Sequence, residues 1–486
     1  MGLPSVVPLV DQGLGNSTYL VDLGDGRALA VDPSRDLRGL RTAARRAGLV
    51  VAFVADTHLH ADFLTGALQL AATDGATVLA SAAGDRRYPH TGLADGDEVG
   101  LGGLRLRAIA TPGHTTEHLA FLLLDGDHPV GVFTGGSLLV GSAARTDLVR
   151  RDRTLELARA QYASIQRLLE LPDQTLVWPT HGAGSFCSAP PGADRVSTIG
   201  RERATNPLLV GVDGRAPESE FVARLLAGLG SYPSYFARLG ELNRLGPPPP
   251  PEPAVLPGLA PAEVRAVVAS GGQVVDVRPA TDFSAGHLPG SVADPLRPAF
   301  ATWLGWMTDP ARPIVIVRNS DQKVDEIVWQ ALKIGYDNLV GELAGGFDAW
   351  QSAGLPVVAT PLVSPARAAA DLRGPSAPRV VDVRQSNEFG AGHLPDAVHL
   401  ELGALADHGV GTGASRIQDR LPAGSLLVMC GHGERAMTAA SLIQAAGRAD
   451  VTVLAGGPEE LAAAIGSELA TGSVPSIAAD VLRAAT

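Results

Sequence analysis

Short apolar runs rich in β-branched residues alternate with alanine-rich stretches of helical character through the second half of this 486-residue chain, which predicts α/β modules with mainly parallel sheets. Residues 274–292, VVDVRPATDFSAGHLPGSV, return almost unchanged at 380–398 as VVDVRQSNEFGAGHLPDAV, so one module is present twice. Downstream of the first copy the run IVIV predicts a buried strand that delivers Arg318-Asn319-Ser320-Asp321-Gln322-Lys323. Downstream of the second, LLVM delivers Cys430-Gly431-His432-Gly433-Glu434-Arg435, ahead of the helix-like AMTAASLIQAAG. Only the second copy keeps a nucleophile. In the first half the run VVAFVAD feeds the turn Thr57-His58-Leu59-His60-Ala61-Asp62-Phe63, which sets imidazoles and a carboxylate where they can converge on one ion.

Gly246, five prolines and Glu252-Pro253 form a stiff connector, because proline fixes φ and joins neither a helix nor a central strand. A softer boundary runs from Leu355-Pro356 to Pro365. The chain divides on this reading into residues 1–253, 254–360 and 361–486, three domains each large enough for its own core. A net charge of −12 and a pI near 5.5, with no cluster of Lys and Arg, argue against nucleic-acid binding. Two cysteines in unrelated motifs fit a reducing compartment. The opening MGLPSVVPLVDQG lacks a basic start and a cleavage site, and no apolar run reaches membrane length, so the expectation is a cytoplasmic protein without a membrane partner.

Cys430 is the leading candidate for chemistry. A loop with two glycines between a strand and a helix turns successive N–H groups inward, which stabilises a thiolate and any anion joined to it, and Arg435 adds a positive charge at the rim. A buried structural cysteine needs neither feature. Asp276 and Asp382, at predicted strand ends, read as braces for their loops, with Arg384 beside the second. Ser320 is offset from the nucleophile position and has no base nearby, so Arg318, Lys323 and their loop read as a packing or docking element.

The second module resembles the rhodanese family through Asp382-Val383-Arg384, Glu388, Gly392-His393-Leu394-Pro395, the loop Cys430 to Arg435 and Gly456-Gly457. The resemblance implies that Cys430 takes a sulfane sulfur from thiosulfate or a low-molecular-weight persulfide, holds it as a persulfide and passes it to a thiol acceptor, with no cofactor. Gly431, His432, Gly433, Glu434 and Ala436 would form the anion-binding loop; Ala436 stands where the family often has Ser or Thr, which bears on donor preference. The first module resembles the same family without its nucleophile.

Thr57 to Phe63 is followed by Thr111-Pro112-Gly113-His114-Thr115, Phe133-Thr134-Gly135-Gly136 and Pro179-Thr180-His181-Gly182. This order resembles the metallo-β-lactamase fold, an αββα sandwich. Gly182 to Cys187, Thr198 to Arg203 and Thr205-Asn206-Pro207 make it similar to the persulfide dioxygenases, which occur fused to rhodanese-like domains. In those enzymes iron(II) is held by two histidines and an aspartate; the histidines map to His58 and His114, the aspartate to Gly136. Phe63 replaces a further histidine of the superfamily. What remains is a three-imidazole set, His58, His60 and His114, with Asp62 and His181 near, suited to one iron or zinc ion. Cys187 reads as packed or near the metal loop and not as a nucleophile, because no Arg or Gly-flanked cradle accompanies it.

The favoured expectation is a sulfurtransferase acting through Cys430, with a dioxygenase-like amino-terminal domain impaired in iron binding. An active persulfide dioxygenase or single-metal hydrolase, and a non-catalytic sulfur-binding scaffold, are the alternatives. The resemblance leaves open dimers through the amino-terminal domain. It also leads to the expectation that residues 254–360 fold alone but transfer no sulfur.

Overall fold

The computed structural model describes residues 4–187, 192, 194–212, 214–251, 255–409 and 414–472, with side chains undescribed at 407–409 and 414–416. Residues 6–198 build two six-stranded sheets. One runs in chain order through Val6–Asp11, Asn16–Asp22, Arg27–Val31, Val50–Ala55, Thr77–Ser81 and Thr91–Leu93. The other is ordered Ser197–Thr198, Leu176–Pro179, His128–Gly135, Leu119–Asp125, Leu104–Ala110 and Glu98–Gly100. Alternation along Asn16–Asp22 and Leu104–Ala110 sends Tyr19, Val21, Leu106 and Ala108 into one core with Phe121, Phe133 and Trp178. Helices Arg38–Ala47 and Ala67–Asp74 cover the first sheet; Thr154–Leu168 and Glu218–Ala227 cover the second. The result is the expected αββα sandwich. The connector holds neither helix nor strand through Pro251, and Glu252 and Pro253 lie outside the described residues.

Two parallel five-stranded sheets follow, and they have the same strand order. The first is Gly258–Leu259, Leu339–Leu343, Ile314–Val317, Gln273–Asp276, Val292–Ala293; the second is Leu362–Val363, Val451–Leu454, Leu426–Met429, Arg379–Asp382, Val398–His399. Asp276 pairs with Val317 and Asp382 with Met429, so Arg318 and Cys430 leave their sheets at equivalent points. Each Asp braces the backbone as expected. Asp382 accepts from the Arg384 backbone N–H at 3.0 Å and from its guanidinium at 2.7 Å, and Asp276 binds Arg278 in the same way at 3.1 and 2.6 Å.

Between the three units lies helix Phe300–Met307, FATWLGWM, every residue of which is buried. An apolar helix of this kind needs a partner on each side. Phe300, Ala301 and Leu304 join a core with Phe63, Cys187 and Tyr235 of the amino-terminal unit, while Trp303, Trp306 and Met307 join one with Leu402, Cys430 and Ala436 of the last. Buried Arg35 pairs with exposed Asp337 at 2.5 Å, and buried Lys333 pairs with half-buried Asp11 at 2.6 Å, adding polar ties across the same boundary. Excision of residues 254–360, expected to fold alone, would leave Trp303 and Trp306 without their cover.

Candidate functional sites

The loops at one edge of the sandwich gather five histidines. His58 and His60 follow strand Val50–Ala55, His114 follows Leu104–Ala110, His118 precedes Leu119–Asp125, and His181 follows Leu176–Pro179. Asp32, just past strand Arg27–Val31 and at φ 50°, ties these loops together. It accepts from the Thr57 N–H and hydroxyl at 2.7 Å each, from the Thr180 hydroxyl, and pairs with His60 Nε2 at 3.1 Å. Burial opposes its charge, but His60 and these donors hold the carboxyl below the ordinary range.

Hydrogen bonds assign the rings. Thr57 spends its one hydroxyl proton on Asp32, so its oxygen accepts from His58 Nδ1 at 2.9 Å, leaving the His58 Nε2 lone pair free. His114 Nδ1 donates to the Arg145 carbonyl at 2.7 Å, and His181 Nδ1 donates to Asn16 Oδ1 at 3.0 Å, so each turns Nε2 inward. His118 is different: its Nε2 accepts the Gly136 N–H at 2.9 Å and its Nδ1 faces Thr111 Oγ1 at 2.8 Å, which uses both nitrogens. The sequence reading passed over His118, and the structure gives it a bracing role. Burial and the surrounding imidazoles push His58 well below its ordinary pKa.

His181 lies with its Nε2 3.3 Å from that of His58. The ligand atoms of His58, His60 and His181 lie within 4.8 Å of one another, as do those of His114, His181 and Cys187. His181 is shared by both groups, and His60 turns Nε2 to Asp32. His60 Nδ1 and Asp62 Oδ1 are buried with no hydrogen-bond partner among the described residues. Asp62 Oδ2 accepts from Asn16 at 2.8 Å and stands 3.4 Å from His181 Nδ1. Burial works against the charge of Asp62, but His181 brings its carboxyl down to about 2.

Cys187 is not merely packed. Burial would raise its thiol, but the charge on His181 brings it down to about 7. The Arg145 N–H donates to the Cys187 carbonyl at 3.3 Å, and the Arg145 guanidinium donates to the Phe186 carbonyl at 3.1 Å. Because the Arg145 carbonyl also receives His114, one residue fixes the loops of Cys187 and His114 together. Position 136 is a glycine and offers no carboxylate. A Cβ on Gly136 would stand 2.2 Å from His114 Cδ2, and the Gly136 N–H already serves His118.

At the second site Cys430 ends strand Leu426–Met429, and helix Glu434–Ala445 begins four residues later with Gly433 as its cap at φ 93°. The Gly433 N–H donates to Cys430 Sγ at 3.2 Å. Cys430 is 2% exposed, Ala436 packs in the same core, and His432 faces solvent. Glu388 holds Arg435 with two bonds of 2.7 Å. Glu434 meets Arg297 of the preceding module at 3.2 Å. In the silent loop Arg318 occupies the position of the thiol, is paired with Glu342, and donates to the carbonyls of Asn319 and Gln322 at 3.1 and 3.0 Å. The expected cationic docking loop is thus neutralised at Arg318.

The rhodanese-like domain family matches residues 260–353 and 364–464. The chain is 32% identical over 202 residues to a mitochondrial protein of Homo sapiens described as persulfide dioxygenase ETHE1, covering 40% of this chain and 70% of that one. It is also 32% identical over 221 residues to a hydroxyacylglutathione hydrolase of Gloeobacter violaceus, covering 40% of this chain and 84% of that one. A metallo-β-lactamase from Staphylococcus aureus subsp. aureus COL superposes with a TM-score of 0.62 at 27% identity, over 71% of this chain and 99% of that one.

Proposed function

Because the chain belongs to the metallo-β-lactamase-fold and rhodanese fusions that resemble the persulfide dioxygenase ETHE1, we propose that it is a sulfurtransferase of persulfide metabolism, with Cys430 as the sulfur carrier. The observation that carries this reading is the Gly433 N–H aimed at Cys430 Sγ where a strand end meets a helix N-terminus. The Cys430 thiolate attacks the outer sulfur of thiosulfate. The new S–S bond forms as the donor's S–S bond breaks, and sulfite leaves with the electron pair. A thiolate acceptor then attacks the outer sulfur of the Cys430 persulfide, and Cys430 departs as thiolate. The loop N–H groups stabilise the anion in both resting states. With Cys430 nearly fully buried, a donor must present its sulfur end-on.

Intact-mass measurement after incubation with thiosulfate is expected to show one added sulfur on the full chain and none on Cys430→Ser. Equal sulfur transfer to cyanide by the two proteins would reject the assignment. A persulfide-oxygenating amino-terminal domain is the second reading, supported by the 32% identity to persulfide dioxygenases. Its test is oxygen uptake by Cys430→Ser supplied with glutathione persulfide, together with one equivalent of iron per chain.

A further inference from the structure

We propose that Arg297 of the silent module is a positioning residue for sulfur transfer at Cys430: it holds the Glu434 carboxylate and cancels its charge, so that an anionic donor can approach the thiol. The inference rests on the reading of Cys430 as the sulfur carrier. The loop from Cys430 to Arg435 contains one acid and one base. Glu388 already holds the base with two bonds of 2.7 Å, and Arg384 holds Asp382, the acid that ends the neighbouring strand, at 2.7 Å. Glu434 is the carboxylate left over. It is partly exposed, stands four residues after the thiol, and among the described residues forms its one ion pair with Arg297, at 3.2 Å.

The acid is in conflict with its own loop. At the first position of helix Glu434–Ala445 a carboxylate suits the helix dipole, which favours negative charge at the N-terminus. The same N-terminus, whose Gly433 N–H donates to Cys430 Sγ at 3.2 Å, must also receive the negative charge of the donor. Two like charges at one helix end repel, and a guanidinium held on the first removes most of that repulsion.

The silent module is built to deliver that guanidinium. Its edge strand Val292–Ala293 lies against helix Glu434–Ala445, and the Ala293 N–H donates to Ser441 Oγ at 3.1 Å. Ser441 stands seven residues beyond Glu434, about 10 Å along the helix. Arg297 follows Ala293 by four residues, which can span up to about 13 Å. The two segments therefore run antiparallel and are tied at both ends. The Leu296 N–H donates to the Val277 carbonyl and the Phe300 N–H to the Arg297 carbonyl, each at 2.9 Å, which fixes the backbone from which Arg297 reaches out. Asp294, three residues before it, does not take the guanidinium. This residue occupies the place of Leu400 in the second module, each donating its N–H to the carbonyl of the Asp that ends the adjacent strand. Asp294 is 1% exposed, and neither carboxyl oxygen has a hydrogen-bond partner among the described residues. Burial pushes its carboxyl well above the ordinary range, against the opposing charge of Arg297, which weakens its hold on a cation.

Steady-state transfer from thiosulfate to cyanide by full-length variants tests the proposal, with intact mass read in parallel. Arg297→Ala is expected to raise the KM for thiosulfate about 3- to 10-fold, the scale of one partly screened charge, with kcat within about twofold of the parent. The increase should shrink at high salt. Arg297→Lys, which keeps the charge, should stay near the parent. Arg297→Ala/Glu434→Gln, which removes both charges, should return KM to the parental value, a rescue that a seam-packing role for Arg297 could not give. Glu434→Gln alone should lower KM, and supplies a readout if the Arg297 variants misfold. A parental KM in Arg297→Ala, a raised KM that Glu434→Gln fails to relieve, or an unchanged KM in Glu434→Gln alone overturns the proposal. These outcomes apply where the parent gains one sulfur by mass; a parent that gains none rejects the Cys430 reading instead.

Discussion

Glu388 grips Arg435 with both carboxylate oxygens, each 2.7 Å from a guanidinium nitrogen, and so cancels the charge that stands beside the Cys430 loop. The acid and the base of the motif are thus spent on one another.

Removing that grip should improve an anionic donor. Glu388→Gln is expected to lower the KM for thiosulfate roughly threefold to fivefold, the scale of one partly screened charge, while Arg435→Ala raises it. A steady-state comparison of thiosulfate with a neutral donor checks this, because only the anionic donor should respond.

The same pair sets a pH dependence. Burial raises the Glu388 carboxyl, but Arg435 outweighs it and holds the group below its ordinary value. A depressed carboxyl stabilises the fold above its unfolded pKa of about 4.3, and that contribution is lost as pH falls through the folded value. The difference in urea midpoint between parent and Glu388→Gln should therefore be present at neutral pH and shrink as pH falls below about 4.3. A gap that widens on acidification would contradict the assignment.

Restoring a thiol to the silent module should not restore its chemistry. In the double variant Cys430→Ser/Arg318→Cys, the Asn319 N–H remains held by Gln322 at 2.9 Å, and no glycine cap like Gly433 turns an amide towards position 318. Intact mass after thiosulfate treatment is expected to show no added sulfur. Stable persulfide there would mean that strand position alone activates the thiol.

Asp32→Ala should destabilise the sandwich edge strongly. The carboxylate receives Thr57, Thr180 and His60, and removing it strands those buried donors at a cost of about 3–5 kcal/mol. Equilibrium unfolding monitored at the amino-terminal unit measures it; a loss under about 1 kcal/mol would mean that water replaces the carboxylate.

Gly403→Ala probes the seam between the last two modules. A Cβ at Gly403 would stand 2.1 Å from Trp306 Cζ2, and a rigid ring stacked 5.2 Å from Trp303 has little room to give. The expected cost is about 1–3 kcal/mol, with a change in tryptophan fluorescence that a purely local helix effect would not produce.

The modules were legible because they are written in contiguous segments. The repeated VVDVR runs and their following loops placed Cys430 and Arg318 at equivalent strand ends, as the Asp382–Met429 and Asp276–Val317 pairings show. What depends on side chains distant in sequence was not legible. Glu388 stood in the motif, but its pairing with Arg435, 47 residues away, was not written there. His118 carries no motif that separates a bracing ring from a ligating one, and the distinction appears only once the Gly136 N–H is seen on its Nε2. Arg145, which fixes the Cys187 loop, lies in another segment and is not announced beside it. FATWLGWM offered one signal that sequence reading passed over: eight residues without a charge, apolar on every side, in a module small enough that such a helix cannot be its private core.

That helix explains why a duplicate that has lost its thiol is not dispensable. Its two opposite faces are shared with units that hold Cys187 and Cys430, so a substitution at Leu304 is felt on one side and at Trp306 on the other. The silent copy has become an internal mould against which both neighbours are cast. Exchange of any one unit for a relative's would have to match two surfaces at once, and the three units are constrained to change together.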